Sequence, residues 1–95
     1  MAQALPVAVT RVLVVDDSVV VRRVVTRAFA HEPAVEVIGT ARDGRDALTK
    51  LEVLRPDVVI LDLDMPVMDG FETLAEIRRT HAEIPVIIFS HLTTR

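Results

Sequence analysis

The chain has 95 residues, room for one domain and not two. Fourteen acidic against eleven basic side chains leave a net charge of −3, which argues against a dedicated nucleic-acid surface. The absence of cysteine excludes a disulfide framework, a thiol nucleophile and a cysteine-based zinc site, and fits a cytoplasmic location.

In chain order, residues 1–10 read as a loose leader. Pro6 interrupts their apolar run, no basic flank precedes it, and the run is far too short to span a bilayer. A first strand follows at 11–15, Arg-Val-Leu-Val-Val, ended by Asp16-Asp17. Ser18 then caps a helix whose apolar stripe is Val21, Val24, Val25, Ala28 and Phe29, with Arg22, Arg23, Thr26 and Arg27 turned to solvent. Pro33 marks the exit into a second strand from Val35 to Gly39, whose partial polarity suggests a sheet edge. Asp43-Gly44 turns into a helix carrying Ala47, Leu48, Leu51 and Leu54, which stops before Pro56. The third strand, 57–62, is again β-branched and apolar and ends on Asp62. After a loop through Met65-Pro66, Asp69 and Glu72 form a capping pair for a helix presenting Phe71, Leu74, Ala75 and Ile77 to the core. Pro85 opens a fourth strand, 86–90.

Strand and helix alternate, which implies right-handed crossovers and a parallel sheet with helices on both faces. Ligands of such folds bind at the carboxyl ends of the strands. Asp16, Asp17 and Asp62 would then share one rim, provided the first and third strands are neighbours. Like charges about 4 Å apart repel by roughly 4 kcal/mol at an effective dielectric near 20. A divalent cation removes that penalty, and three oxygen donors with room for water suit Mg²⁺. Taken singly each acid reads as well as favourable charge at a helix start. Together they point to metal-assisted phosphoryl chemistry.

Three blocks carry a family likeness: Val14-Val15-Asp16-Asp17-Ser18, Asp62-Leu63-Asp64-Met65-Pro66-Val67-Met68-Asp69-Gly70, and Pro85-Val86-Ile87-Ile88-Phe89-Ser90. The chain from Arg11 to Thr94 resembles the receiver domain of two-component response regulators. The resemblance implies a flavodoxin-like, doubly wound sheet in the order 2-1-3-4, without the family's fifth strand and last helices. It makes Asp62 the phosphoacceptor, Asp17 a metal ligand, Asp16 a ligand directly or through water, and the Asp64 main-chain carbonyl a further ligand to Mg²⁺. Ser90 would be the hydroxyl that turns toward the phosphoryl group. The implied phosphodonor is a histidine kinase, with no role for nucleic acid or membrane.

A finer likeness lies in residues 37–44 and 89–93, which are similar to the receiver of the chemotaxis protein-glutamate methylesterase. In that family the receiver precedes a C-terminal esterase that also deamidates receptor glutamines, and phosphorylation relieves a block on it. DNA-binding or single-domain regulators share much of the pattern. From another class, Asp62-Leu63-Asp64 imitates a haloacid-dehalogenase-type phosphatase, whose motif normally closes the first strand and here closes the third.

Residues 11–95 thus read as a receiver incomplete at its C-terminus. The lysine that family members carry on the fifth strand has no counterpart, since the only lysine, Lys50, falls mid-helix and reads as solvated. Weak, short-lived phosphorylation is expected of such a piece. An uncovered fourth strand would favour homodimers or an inert dimerising fragment. His31, His81 and His91 lack metal-ligand spacing, Arg78 and Arg79 read as solvated, and Gly39, Gly44 and Gly70 read as turn residues.

Overall fold

The computed structural model describes residues 8–65 and 68–89. Its order is β1 (Thr10–Val15), α1 (Val19–Phe29), β2 (Val35–Ala41), α2 (Gly44–Leu54), β3 (Val58–Asp62), α3 (Gly70–Thr80) and β4 (Val86–Phe89). The strands form one parallel sheet in the order β2-β1-β3-β4, as expected. The more polar β2 lies at an edge. Val12 pairs with Val58 and Val15 with Leu61, so β1 and β3 are direct neighbours and end together.

Alternation along the strands divides their side chains between two faces. Leu13, Val15, Val59 and Leu61 pack with Ala47, Leu51 and Ile77 from α2 and α3 into one buried cluster. The opposite face carries α1, which has no buried residue. The expected α1 stripe is rotated: Val24 and Ala28 are exposed, while Arg22 and Thr26 join Val21, Val25 and Phe29 in half-buried positions. The Arg22 guanidinium supplies a reason, since it reaches back to the Asp16 carbonyl at 2.7 Å and holds that side of the helix inward.

A similar correction applies to α3. Phe71 and Ala75 are exposed, and the inward stripe is Gly70, Thr73, Leu74 and Ile77. These positions follow the i, i+3, i+4, i+7 pattern more closely than a face built around Phe71. The turn reading of Gly39, Gly44 and Gly70 fails because all three lie in regular elements, and none has positive φ. Gly39 lies within β2, where the register skips from Val37 to Gly39 in a bulge. Gly44 and Gly70 are the first residues of their helices. Lys50 is only partly solvated, its side chain 38% exposed. Its ammonium donates to the Thr40 carbonyl and pairs with Asp46 at 3.2 Å, tying α2 to β2.

Candidate metal centre

The parallel pairing ends at Val15 and Leu61, so the next residues, Asp16 and Asp62, emerge side by side on the rim. Both side chains are fully buried, while Asp17 is exposed. One carboxylate oxygen from each of Asp16, Asp17 and Asp62 lies within 4.8 Å of the other two. The three acids that sequence analysis singled out are therefore one cluster.

Local backbone donors fix two of them. Asp16 Oδ1 accepts from the Ser18 N–H at 2.8 Å, and Asp62 Oδ1 accepts from the Asp64 N–H at 3.0 Å. Ser18 also caps α1 by accepting from the Val21 N–H at 3.2 Å. The positive end of α1 thus faces the acids and offsets part of their repulsion. At the observed spacing each ionised pair still repels by roughly 3–4 kcal/mol at an effective dielectric near 20. An all-oxygen set with an exposed member open to water fits a hard divalent cation such as Mg²⁺.

The loop after Asp62 is seated by contact. The Gly70 N–H donates to the Leu63 carbonyl at 3.1 Å, and a Cβ there would lie 2.2 Å from Leu63 Cα and 2.6 Å from the Asp62 carbonyl oxygen. Asp69 caps α3 through the Glu72 N–H at 2.7 Å. Met65 is buried in the core and holds the loop's other shoulder. Asp64 is exposed, two residues beyond the end of β3. Ser90 and His91 lie outside the described residues; Phe89, the residue before Ser90, pairs with Asp62 across β3 and β4. Sequence reasoning missed the Arg22 contact to Asp16. Its spacing of four from the Ser18 cap was the available signal, because a cap-plus-four side chain sits above the helix start.

The comparisons with known proteins agree with this geometry. The response regulator receiver domain pattern matches residues 12–95. The chain is 53% identical over 85 residues to a protein-glutamate methylesterase/protein-glutamine glutaminase of Nocardioides, covering 90% of this chain and 23% of that protein. Its counterpart in Geobacillus kaustophilus is 54% identical over 84 residues, covering 88% and 24%. The chain thus spans about a quarter of the length of these relatives. Among solved structures, the response regulator domain of Thermotoga maritima CheB superposes with a TM-score of 0.82 at 41% identity, covering 92% of this chain and 64% of that one. Among the described residues no helix is long and apolar enough to cross a membrane. With three rim acids on adjacent parallel strands and this match from residue 12 onward, the chain belongs to the response regulator receiver domain family.

Proposed function

We propose that Asp62 is the phosphoacceptor of this receiver and that Asp16, Asp17 and the Asp64 carbonyl complete an Mg²⁺ site around it. The meeting of the three carboxylates within 4.8 Å carries the reading. A carboxylate oxygen of Asp62 attacks the phosphorus of a phosphohistidine, the P–N bond breaks, and its electron pair leaves with the imidazole. The product is an aspartyl phosphate. When bound, Mg²⁺ would neutralise charge gathering on the transferred oxygens. The chain's own part is orientation: the Asp64 N–H fixes the Asp62 carboxylate, and burial keeps bulk water from competing with it. Ser90, by resemblance, supplies the hydroxyl that turns toward the new phosphoryl group.

The phosphodonor is a histidine kinase, and a chemotaxis kinase fits the relatives' activity. The output is a methylesterase/glutaminase domain, supported by relatives near 50% identity that carry this name. Their extra length leaves room for such a domain. A cytoplasmic location goes with that assignment. Pairing of two copies along β4, where Ile87 and Ile88 are exposed, is a further part of the reading, checked by light scattering.

Incubation with acetyl phosphate and Mg²⁺, followed by intact-mass and peptide analysis, tests the central assignment. One labile phosphoryl group on Asp62, absent from Asp62→Asn, is the expected result. Label on another residue, or turnover of aryl phosphates many times per site, would overturn it.

A further inference from the structure

The first residue of α2 touches the loop that follows Asp62, at Met68. A Cβ built on Gly44 would lie 2.2 Å from Thr73 Oγ1 and 2.8 Å from both Cβ and Cγ of Met68. Real Cβ contacts do not come this close, so α2 abuts α3 and the β3–α3 loop with nothing between them. Gly44 is itself buried and fixed, because Asp43 caps α2 through the Asp46 N–H at 2.8 Å. It is not there for backbone freedom, since its φ is negative.

The contact leads to the site in two steps. Thr73 is fully buried, and its hydroxyl donates to the Asp69 carbonyl at 2.9 Å, with the Met68 carbonyl at 3.4 Å. Asp69 and Met68 immediately precede Gly70, whose own missing side chain lets α3 rest on Leu63 Cα and the Asp62 carbonyl. Any push on Thr73 or Met68 is therefore delivered to the backbone at 62–63. Packed interiors transmit such a displacement and do not absorb it.

We propose that Gly44 is a positioning residue for phosphoryl transfer: its bare Cα lets α2 seat the Met68–Gly70 segment, which sets where Asp62 stands. The proposal rests on Asp62 being the phosphoacceptor. Gly39 supplies the internal control, because a Cβ there meets chiefly the Leu54 Cδ1 methyl at 2.7 Å, the movable end of a side chain remote from the loop.

The test compares Gly44→Ala, Gly39→Ala and Gly44→Ala with Thr73→Ala, all in the 95-residue chain. Labelling rates with acetyl phosphate and Mg²⁺ are measured well below each melting temperature. A misplacement near 1 Å costs on the order of 10²-fold, so Gly44→Ala should label roughly ten- to hundred-fold more slowly at saturating acetyl phosphate. Gly39→Ala should keep the wild-type rate. Removing the Thr73 hydroxyl should restore much of the rate in the double variant, measured against Thr73→Ala alone. Amide NMR signals of Leu63, Asp64 and Gly70 should move in Gly44→Ala and return in the double variant. Should Gly44→Ala not fold, Thr73→Ile adds bulk to the same contact from the other side and should label more slowly than Thr73→Val, the near-isosteric control for the lost hydroxyl. A wild-type rate in Gly44→Ala, or a loss matched by Gly39→Ala, would overturn the proposal. Absence of label on the wild-type chain would instead remove the phosphoacceptor reading, and unmoved amide signals at 63, 64 and 70 would then refute the positioning role on their own.

Discussion

The two ends of the sheet are built on opposite electrostatic plans. At the rim, where β1 and β3 finish, three carboxylates of like charge crowd within 4.8 Å. At the floor, where those strands begin, charges and dipoles are matched. The Arg11 guanidinium donates to the Leu54 and Arg55 carbonyls at 2.7 and 2.6 Å, capping the negative end of α2. The Arg11 N–H meets the Asp57 carboxylate at 2.8 Å, and His81 faces Glu52 at 3.2 Å. The difference teaches where the fold keeps its stability and where it gives some up. The floor locks helix ends to strand starts, whereas the rim holds repulsion that a bound cation would relieve.

The largest effect that would break this contrast is at Asp62. Asp62→Asn should abolish phosphoryl labelling and yet melt above the wild type in metal-free buffer, because one of the three mutually repelling charges is gone. Each kcal/mol relieved corresponds to roughly 4–8 °C in a domain of this size, read by circular dichroism. A lower melting temperature would mean that the rim acids are held by contacts stronger than their repulsion. The floor should respond in the opposite sense. Arg11→Ala leaves two helix-terminal carbonyls without their donors and should cost about 1–3 kcal/mol in urea unfolding, with the labelling rate below the melting temperature preserved.

Asp46 sharpens the comparison, since it is an acid near the rim but a matched one. Burial alone would raise its pKa. The Arg42 N–H and the Lys50 ammonium outweigh that and hold the carboxyl below its usual range. A carboxyl depressed on folding adds stability above its unfolded pKa of about 3.9 and loses it as pH falls through the lower folded value. Asp46→Asn should therefore be less stable than wild type at neutral pH, and the gap should close under acid in urea midpoints measured across the range. The smallest effect belongs to Arg55, which sits in the left-handed region at φ 49° as the C-cap of α2. Arg55→Gly should gain up to about 1 kcal/mol in urea unfolding, because relief of roughly 1–2 kcal/mol of left-handed strain exceeds the added chain entropy.

Strand identity and the three rim acids were legible because each rests on a short local signal, a β-branched run or a terminal acid, whereas the strand order came only through the family likeness, since no local signal makes β1 and β3 neighbours. Helix rotation was less so. In α1 the valines at 20, 21, 24 and 25 offer two overlapping stripes, and what selects between them is Arg22 reaching to the Asp16 carbonyl, a contact outside the periodicity. In α3 the bulk of Phe71 drew the stripe one position off, while the true contacts belong to Gly70 and Thr73, small residues that periodicity weighs little. Lys50 read as solvated because a lone helix cation carries no sequence mark of the carbonyl it will meet. The seat at Gly44 joins residues more than twenty positions apart, and only the packed helices bring them together.

Thermal unfolding of wild type and Asp62→Asn across a magnesium titration puts the central claim, that the rim acids form one divalent-cation site, to its most direct trial. The wild type should climb with Mg²⁺, by about 2.7 kcal/mol once the ion reaches a hundredfold over its dissociation constant, and the variant should climb far less. A wild-type transition indifferent to Mg²⁺, or equal gains in both proteins, would contradict it.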